Sequence, residues 1–152
     1  MTAVLQRVKE CSVNIDGQNV AEQGIGLLVL LGVEDSDKDI DSALLLKFAD
    51  KIAGLRIFED EEGKMNLSVS DIGADVTVVS NFTLLANCKK GKRPSFIAAA
   101  RPEVAEPLYE KVVMLIEEKL GKKVGRGVFG ADMKISLLND GPVTIIIKSD
   151  EL

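Results

Sequence analysis

Histidine is absent from the 152 residues of this sequence. Its absence excludes the Ser-His-Asp and Cys-His hydrolases, because both transfer protons through an imidazole ring. It also excludes H-E-x-x-H zinc sites and iron sites that use two histidine ligands. Any acyl hydrolysis by this protein must therefore draw its proton transfer from another group.

Cysteine is also scarce, since the chain has only Cys11 and Cys88. They are too few and too widely spaced for a Cys-x-x-Cys motif or a tetrahedral zinc site, and a thiol pair inside a cell is usually reduced. Gly125 and Gly127 do not follow a strand in the G-x-G-x-x-G arrangement that cradles a nucleotide. The sequence therefore predicts neither a metal site nor a cofactor.

No hydrophobic run is long enough to cross a bilayer. The longest, residues 25–31, is interrupted by Gly26. Gln6 and Arg7 are polar where a signal peptide would need an apolar core. Residues 149–152 resemble an endoplasmic-reticulum retention tail, which we interpret as a coincidence because no entry signal precedes it. The sequence therefore predicts a cytoplasmic protein without a membrane partner.

The composition predicts one globular domain that covers residues 1–152. Apolar residues make up 46% of the chain and charged residues 28%, and a chain of this length can bury most of the surface that it exposes when unfolded. The formal net charge is −5. A local cluster of positive charge is therefore a departure from the rest of the surface.

Hydrophobic periodicity predicts about seven strands and two helices. The strands are expected near residues 3–8, 12–15, 25–33, 55–58, 76–85, 135–138 and 143–147. A hairpin turn at Asp16-Gly17 should follow the second of them, with Val20 on the returning arm. One helix is expected over residues 40–52, after capping residues 34–37 and with a left-handed cap at Gly54. A second helix should run from Pro102 to Gly121, with its apolar face formed by Val104, Leu108, Val112, Leu115 and Ile116.

The order of these elements predicts an α/β fold. The opening and closing strands are expected to form hairpins, while strands and helices alternate in the middle of the chain. The expected architecture is a mixed, mainly antiparallel sheet curled toward a barrel, with the two helices packed outside it.

The segment 75–96, DVTVVSNFTLLANCKKGKRPSF, carries the strongest functional signal. Its β-branched residues predict a strand covered on both faces, so Ser80, Asn81 and Thr83 should be polar groups close to a core. Such groups must bond to one another, to the backbone or to a ligand, and a cluster of them at a strand end can form a binding site. The alternative is a strand end whose hydroxyl groups only satisfy nearby backbone.

Four cations follow that strand and form what we call the basic loop: Lys89, Lys90, Lys92 and Arg93. They flank Gly91 and stop at Pro94, which is typical of an exposed loop. A solvated loop is the simplest interpretation. Against an acidic surface, however, the cluster would focus a positive field able to bind phosphates.

Here the sequence resembles a known family. SNFTLLANCKKGKRPSF is similar to the S-Q-F-T-L strand and the K-K-G-x-R-P-S-F loop of the D-aminoacyl-tRNA deacylases. AVLQRV, LRIFEDEEGKMNLS, FGADM and NDGPVTI also match, in the family's order, so the resemblance covers nearly the whole chain. It implies hydrolysis of the ester of D-aminoacyl-tRNA, and of mischarged glycyl-tRNA, as a chiral proofreading step in translation.

The resemblance also implies roles for individual residues. It assigns Ser80, Phe82 and Thr83 to the catalytic site, Asn81, Gly141, Pro142, Arg7, Phe129 and Met133 to substrate binding, and the basic loop to tRNA binding. In the family, the ribose 2′-hydroxyl of the terminal adenosine is thought to assist hydrolysis. Thr83 matches a threonine that has been proposed as a nucleophile, so the residues alone leave both mechanisms open.

The Gly141-Pro142 dipeptide has two interpretations. Taken by itself, glycine before proline is an ordinary turn. In the family, this peptide is cis and inserts into the site of the partner subunit of a homodimer, where its carbonyls exclude L side chains and Arg7 braces it. Such exclusion by clash admits any D side chain and glycine.

The sequence also departs from the family pattern. Asn81 replaces the usual glutamine, and its side chain is shorter by one methylene, which withdraws the amide by about an ångström. Leu85 and Cys88 replace tyrosine and threonine. Two other functions therefore stay open: a non-catalytic RNA-binding dimer, and a small-molecule esterase that uses Thr83 or Ser80 directly.

Overall fold

The computed structural model describes residues 1–152 and contains eight strands, two α-helices and three 3-10 helices. The strands are β1 (Thr2–Ile15), β2 (Gln18–Gln23), β3 (Gly26–Gly32), β4 (Phe58–Glu59), β5 (Met65–Leu67), β6 (Asp75–Ser80), β7 (Gly125–Arg126) and β8 (Lys134–Lys148). The α-helices are α1 (Ser42–Gly54) and α2 (Pro102–Leu120), and the 3-10 helices are Asp35–Asp39, Phe82–Leu85 and Ser149–Glu151. No helix is long and apolar enough to span a membrane.

Six strands form one mixed sheet. Its order is β2-β1-β3-β6-β7, and β8 pairs with the other edge of β1. β1 is antiparallel to β2, β3 and β8, whereas the β3-β6 and β6-β7 pairs are parallel. The sheet curls until β2 contacts β6, where the Thr77 hydroxyl donates a hydrogen bond to Gln23 Oε1. The predicted α/β fold, a mainly antiparallel, barrel-like sheet with two helices, is confirmed.

The central strands are buried on both faces, as predicted for β6. Alternate residues of β3 and β6 point to opposite sides, because strand side chains alternate. Leu27 and Val78 pack in the main core with both helices, whereas Leu28 and Val79 pack in a second cluster on the other face. Full burial of such side chains stabilises the fold by about 1.5–3 kcal/mol each. This double packing fixes the end of β6, from which the candidate site begins.

The predicted opening and closing hairpins are only partly correct. The Asp16-Gly17 turn joins β1 and β2 as expected, but residues 2–15 form one continuous strand. Lys9 and Glu10, which lie between the two predicted strands, are exposed beside a register shift in the β1-β8 pairing. Residues 134–148 also form one strand, and both of its halves pair with β1 rather than with each other.

The predicted strand over residues 76–85 is too long. β6 ends at Ser80, and Phe82–Leu85 forms a 3-10 helix because the Asn81 side chain caps it, accepting a hydrogen bond from the Thr83 nitrogen. A side chain that bonds to a nearby backbone N–H in this way competes with strand pairing.

The two α-helices were predicted, but their details differ. The N-cap of α1 is Asp41, whereas residues 34–37, which were predicted to cap it, cap the preceding 3-10 helix. The C-cap of α1 is Leu55, which has extended backbone angles, and Gly54 is not left-handed as predicted. α2 ends at a left-handed Gly121, as suits a glycine cap. Its buried face is rotated from the predicted one, and consists of Ala105, Tyr109, Val112, Val113 and Ile116.

Candidate active site

A cavity of about 630 Å³ lies where the end of β6 meets the first half of α2. Most of its wall is apolar, with Leu31 and Val79 from the sheet and Ala105 from α2. Six residues that the sequence assigned to the site line this one cavity: Ser80, Asn81, Phe82, Thr83, Phe129 and Met133. Segments that are about fifty residues apart in the chain therefore meet at one apolar space with a polar end.

The polar end is built by the 3-10 helix that follows β6. Asn81 Oδ1 accepts two hydrogen bonds from Thr83, at 3.1 Å from its backbone nitrogen and at 2.5 Å from its hydroxyl oxygen. Asn81 also has extended backbone angles and so turns the chain out of the sheet. The two hydrogen bonds orient the Thr83 side chain and leave the Asn81 amide nitrogen without a partner in the protein.

The Thr83 hydroxyl is positioned but not activated. No carboxylate or amine forms a hydrogen bond with the Thr83 hydroxyl, whose partner is an amide oxygen. A nucleophilic hydroxyl normally needs a base within about 2.6–3.2 Å. The hydroxyl of Ser80, which is half-buried, has no hydrogen-bond partner in the protein and is free for a ligand. The arrangement can bind and orient a polar group, but it holds no general base at Thr83.

Tyr109 forms part of the cavity and was missed as a site residue. Its hydroxyl donates a 2.9 Å hydrogen bond to the Val78 carbonyl, and its ring lies 6.2 Å from that of Phe129. Burial raises the pKa of Tyr109 to about 12. Tyr109 therefore ties α2 to the strand that leads to Ser80. The only sequence signal for it was the chain's single tyrosine at helical spacing from Ala105 and Val112.

Asp132 was also missed, and it is the only carboxylate that lines the cavity. Its two oxygens lie 2.8 and 2.9 Å from the Lys134 ammonium nitrogen, and both side chains are largely exposed. No three or more histidine, cysteine, aspartate or glutamate side chains converge anywhere in the chain. The residues therefore offer no ligand set to which a metal could be assigned.

The Gly141-Pro142 dipeptide lies in a bulge of β8. The register shifts from Gln6-Thr144 to Val8-Asn139, so residues 140–143 have only Arg7 opposite them. The Gly141-Pro142 peptide is cis, and both residues are exposed. Neither lines the cavity of its own chain. The structure thus separates these two predicted site residues from the six that it brings together.

Arg7 supports this bulge through its guanidinium group. The guanidinium is almost fully buried and donates hydrogen bonds to the Ile57 carbonyl at 2.7 Å and to the Asp140 carbonyl at 3.3 Å. It also forms an ion pair with the Asp140 carboxylate at 3.2 Å. Asn139 adds hydrogen bonds to the Arg7 and Val143 carbonyls. Arg7 is therefore a structural support for the bulge and not a cavity residue.

The basic loop begins beside the cavity. Asn87 and Ser95 pair through two backbone hydrogen bonds, of 2.8 and 3.0 Å, and so close the loop at its base. Next to that base, the Phe96 ring packs edge-on against Phe82, with the centroids 5.2 Å apart. All four cations of the loop are exposed, and none forms an ion pair within the chain. Their positive charge is therefore not neutralised by the protein.

Comparison with known proteins places this geometry in a family. The family model described as D-Tyr-tRNA(Tyr) deacylase matches residues 4–148. The chain belongs to this family. A relative from Flavobacterium psychrophilum named D-aminoacyl-tRNA deacylase is 56% identical over 149 residues, which cover 98% of this chain and 97% of the relative.

Two solved structures share the fold. One, titled "c-Myc DNA Unwinding Element Binding Protein", is 36% identical with a TM-score of 0.87, and the match covers 97% of this chain and 98% of that one. The other, titled as a probable eukaryotic D-amino acid tRNA deacylase, is 18% identical with a TM-score of 0.83, over 97% and 99% of the two chains. The family suggested by the SNFTLLANCKKGKRPSF segment is confirmed.

Proposed function

We propose that the protein is a hydrolase that cleaves the ester bond of D-aminoacyl-tRNA, releasing the amino acid and the free tRNA. The observation that carries this proposal is the cavity itself, which joins an apolar chamber to free hydroxyl and amide groups but holds no base at Thr83. Membership of the deacylase family supports the same conclusion. Glycine misattached to tRNA is a second substrate, because it has no side chain to reject.

The protein's part in the reaction is to position the ester. Thr83, held by Asn81, and the free hydroxyl of Ser80 orient the aminoacyl end, while Phe82, Phe129 and Met133 line the space around it. The neighbouring ribose 2′-hydroxyl of the substrate then assists the attack of water on the ester carbonyl. Holding reacting groups in place can by itself lower a barrier by several kcal/mol, about 7–11 in well-oriented model reactions.

Selection of handedness requires a second subunit. Gly141 and Pro142 are exposed and lie outside the cavity of their own chain, which supports their insertion into the cavity of a partner in a homodimer. There the backbone would clash with an L side chain and leave a D side chain free. Arg7 supports this role, because its hydrogen bonds fix the bulge that carries the dipeptide.

The basic loop is proposed to bind tRNA phosphates. Its four cations have no anionic partners in the chain, although the net charge of the protein is −5. Exposed, unpaired lysine and arginine side chains bind phosphates by releasing counterions. Because aminoacyl-tRNA is made and used where translation occurs, we propose that the protein acts in the cytoplasm.

Deacylation of matched substrates tests this function. The protein should release the amino acid from D-aminoacyl-tRNA rapidly, with little dependence on side-chain type, and from the L-aminoacyl-tRNA slowly. A protein that binds charged tRNA without loss of the ester would instead be an RNA-binding dimer. Equal cleavage of simple esters that lack a ribose would indicate an esterase that uses Thr83 or Ser80 directly.

A further inference from the structure

An exposed aromatic pair connects the cavity to the basic loop. Phe82 is 58% exposed although it packs against Phe96, which is 36% exposed. Ile97, the next residue in the turn, is 91% exposed and is the most exposed large apolar side chain of the chain. Large apolar side chains that cluster on a surface beside a site mark a contact region for a partner.

The charge around this pair identifies the chemistry of that partner. The four cations of the basic loop lie between Phe82 and Phe96 in the chain, and the Asn87-Ser95 pairing brings the base of the loop next to Phe96. Aromatic faces beside unpaired cations are the combination that binds single-stranded nucleic acid, because bases stack on the rings while the backbone phosphates contact the cations. An acidic protein would use the charge but would leave the rings without a specific partner.

We propose that Phe82 and Phe96, extended by Ile97, form a stacking platform for the unpaired bases that precede the terminal adenosine at the 3′ end of the tRNA. The proposal rests on the proposed function, since it places the strand that carries the ester across the rim of the cavity. The platform contributes affinity for the bases, and the basic loop contributes affinity for the phosphates. The two contributions therefore differ in their dependence on salt.

Binding of uncharged tRNA tests the platform independently of ester hydrolysis. The probes are intact tRNA and the same tRNA without its unpaired 3′ nucleotides, each titrated against the wild-type protein and the Phe96→Leu, Phe96→Trp and Ile97→Ser variants. Leu46→Ser is the matched control, because Leu46 is also an exposed apolar residue, at 54%, but lies on α1 and outside the cavity.

Phe96→Leu should weaken binding of intact tRNA about ten-fold, within the range measured for the loss of one stacked base, and should leave its salt slope unchanged. Phe96→Trp should restore the affinity, Ile97→Ser should weaken it less, and Leu46→Ser should not change it. Binding of the truncated tRNA should be the same for all variants. Equal loss with both probes, an altered salt slope, or no loss for Phe96→Leu would overturn the platform.

Cleavage of a D-aminoacyl-adenosine tests the proposed function separately. That substrate has the ester but no preceding bases, so wild type and Phe96→Leu should cleave it at equal rates. If wild type cleaves neither this substrate nor D-aminoacyl-tRNA, the proposed function fails while the binding result still decides the platform. If Phe96→Leu slows the small substrate as much as the tRNA, the residue acts through Phe82 and not by stacking.

Discussion

Arg7 and Lys9 provide a matched pair for measuring what the buried guanidinium of Arg7 contributes to the free energy of unfolding. Both side chains form an ion pair with Asp140 Oδ2 at 3.2 Å, but the Arg7 side chain is 6% exposed and the Lys9 side chain is 52% exposed. Only Arg7 also bonds to the carbonyls of Ile57 and Asp140. Replacing each by methionine removes an ion pair with Asp140 from two different environments, and Arg7→Met also removes a 3.9 Å ion pair with the exposed Glu59.

Arg7→Met should lower the free energy of unfolding by about 2–4 kcal/mol, because it leaves the buried Ile57 carbonyl without a donor and the Asp140 carboxylate without its buried partner. Lys9→Met should lower it by less than about 1 kcal/mol, as is usual for an exposed pair. In a chain of this length, that difference shifts the melting temperature by roughly 2–4 °C for each kcal/mol.

Chemical denaturation at a single protein concentration measures both values, and the fixed concentration removes any effect of self-association from the comparison. Where Arg7→Met still folds, it should also lower the ratio of D- to L-ester cleavage, because the bulge loses its support. Equal destabilisation by the two substitutions would refute the argument that burial and the carbonyl contacts make Arg7 the support of the bulge.

Three further predictions follow from the same geometry. Replacing all four cations of the basic loop by alanine should reduce the slope of log K against log salt concentration for tRNA binding by about 3, since each phosphate contact on a single strand contributes about 0.7. An unchanged slope would mean that the loop is only solvated. Gly141→Ala places a Cβ 2.7 Å from Val143 Cγ2 and 2.9 Å from its nitrogen at a φ of +125°, so it should shift the bulge and lower D/L selectivity. Retention of the parental D/L ratio in folded protein would locate the selection of handedness elsewhere. Tyr109 is the only tyrosine and tryptophan is absent, so phenolate absorbance should titrate near a pKa of about 12 in the native state and near 10.0 after denaturation. Because the pKa of Tyr109 is higher in the folded state, the stability that this group contributes is complete below pH 10 and should be lost as the pH rises toward about 12. Tyr109→Phe should remove this pH dependence. A native titration midpoint near 10 would contradict the burial argument.

The sequence predicted the fold class because the packing of this fold appears in local patterns. The run over β3 and the valines of β6 are apolar on both faces, and the structure buries both faces. The pairing of β8 could not be predicted in the same way. The residues 139–142 have the composition of a turn, and only the long-range register with β1 makes them a bulge within a continuous strand. The number of strands was therefore less predictable than their pattern of burial.

The candidate site was also predictable only in part, because local sequence signals identified some of its residues but not their geometry. Ser80, Asn81 and Thr83 were found because hydroxyl and amide groups interrupt an apolar segment, which is a local signal. Their geometry was not predictable, because the Asn81 cap ends β6 and turns Thr83 onto a 3-10 helix. Tyr109 was missed because a tyrosine within the apolar face of a helix has no local feature that distinguishes a cavity wall from a core position.

The central claim is that the cavity positions the ester while the substrate's own hydroxyl assists its hydrolysis. The most direct test is the single-turnover rate for D-aminoacyl-tRNA that ends in adenosine, compared with the same tRNA ending in 2′-deoxyadenosine. We expect the 2′-deoxy substrate to bind with similar affinity and to react much more slowly. Equal rates for the two substrates, or an acyl group trapped on Thr83, would contradict the claim and assign the chemistry to the protein.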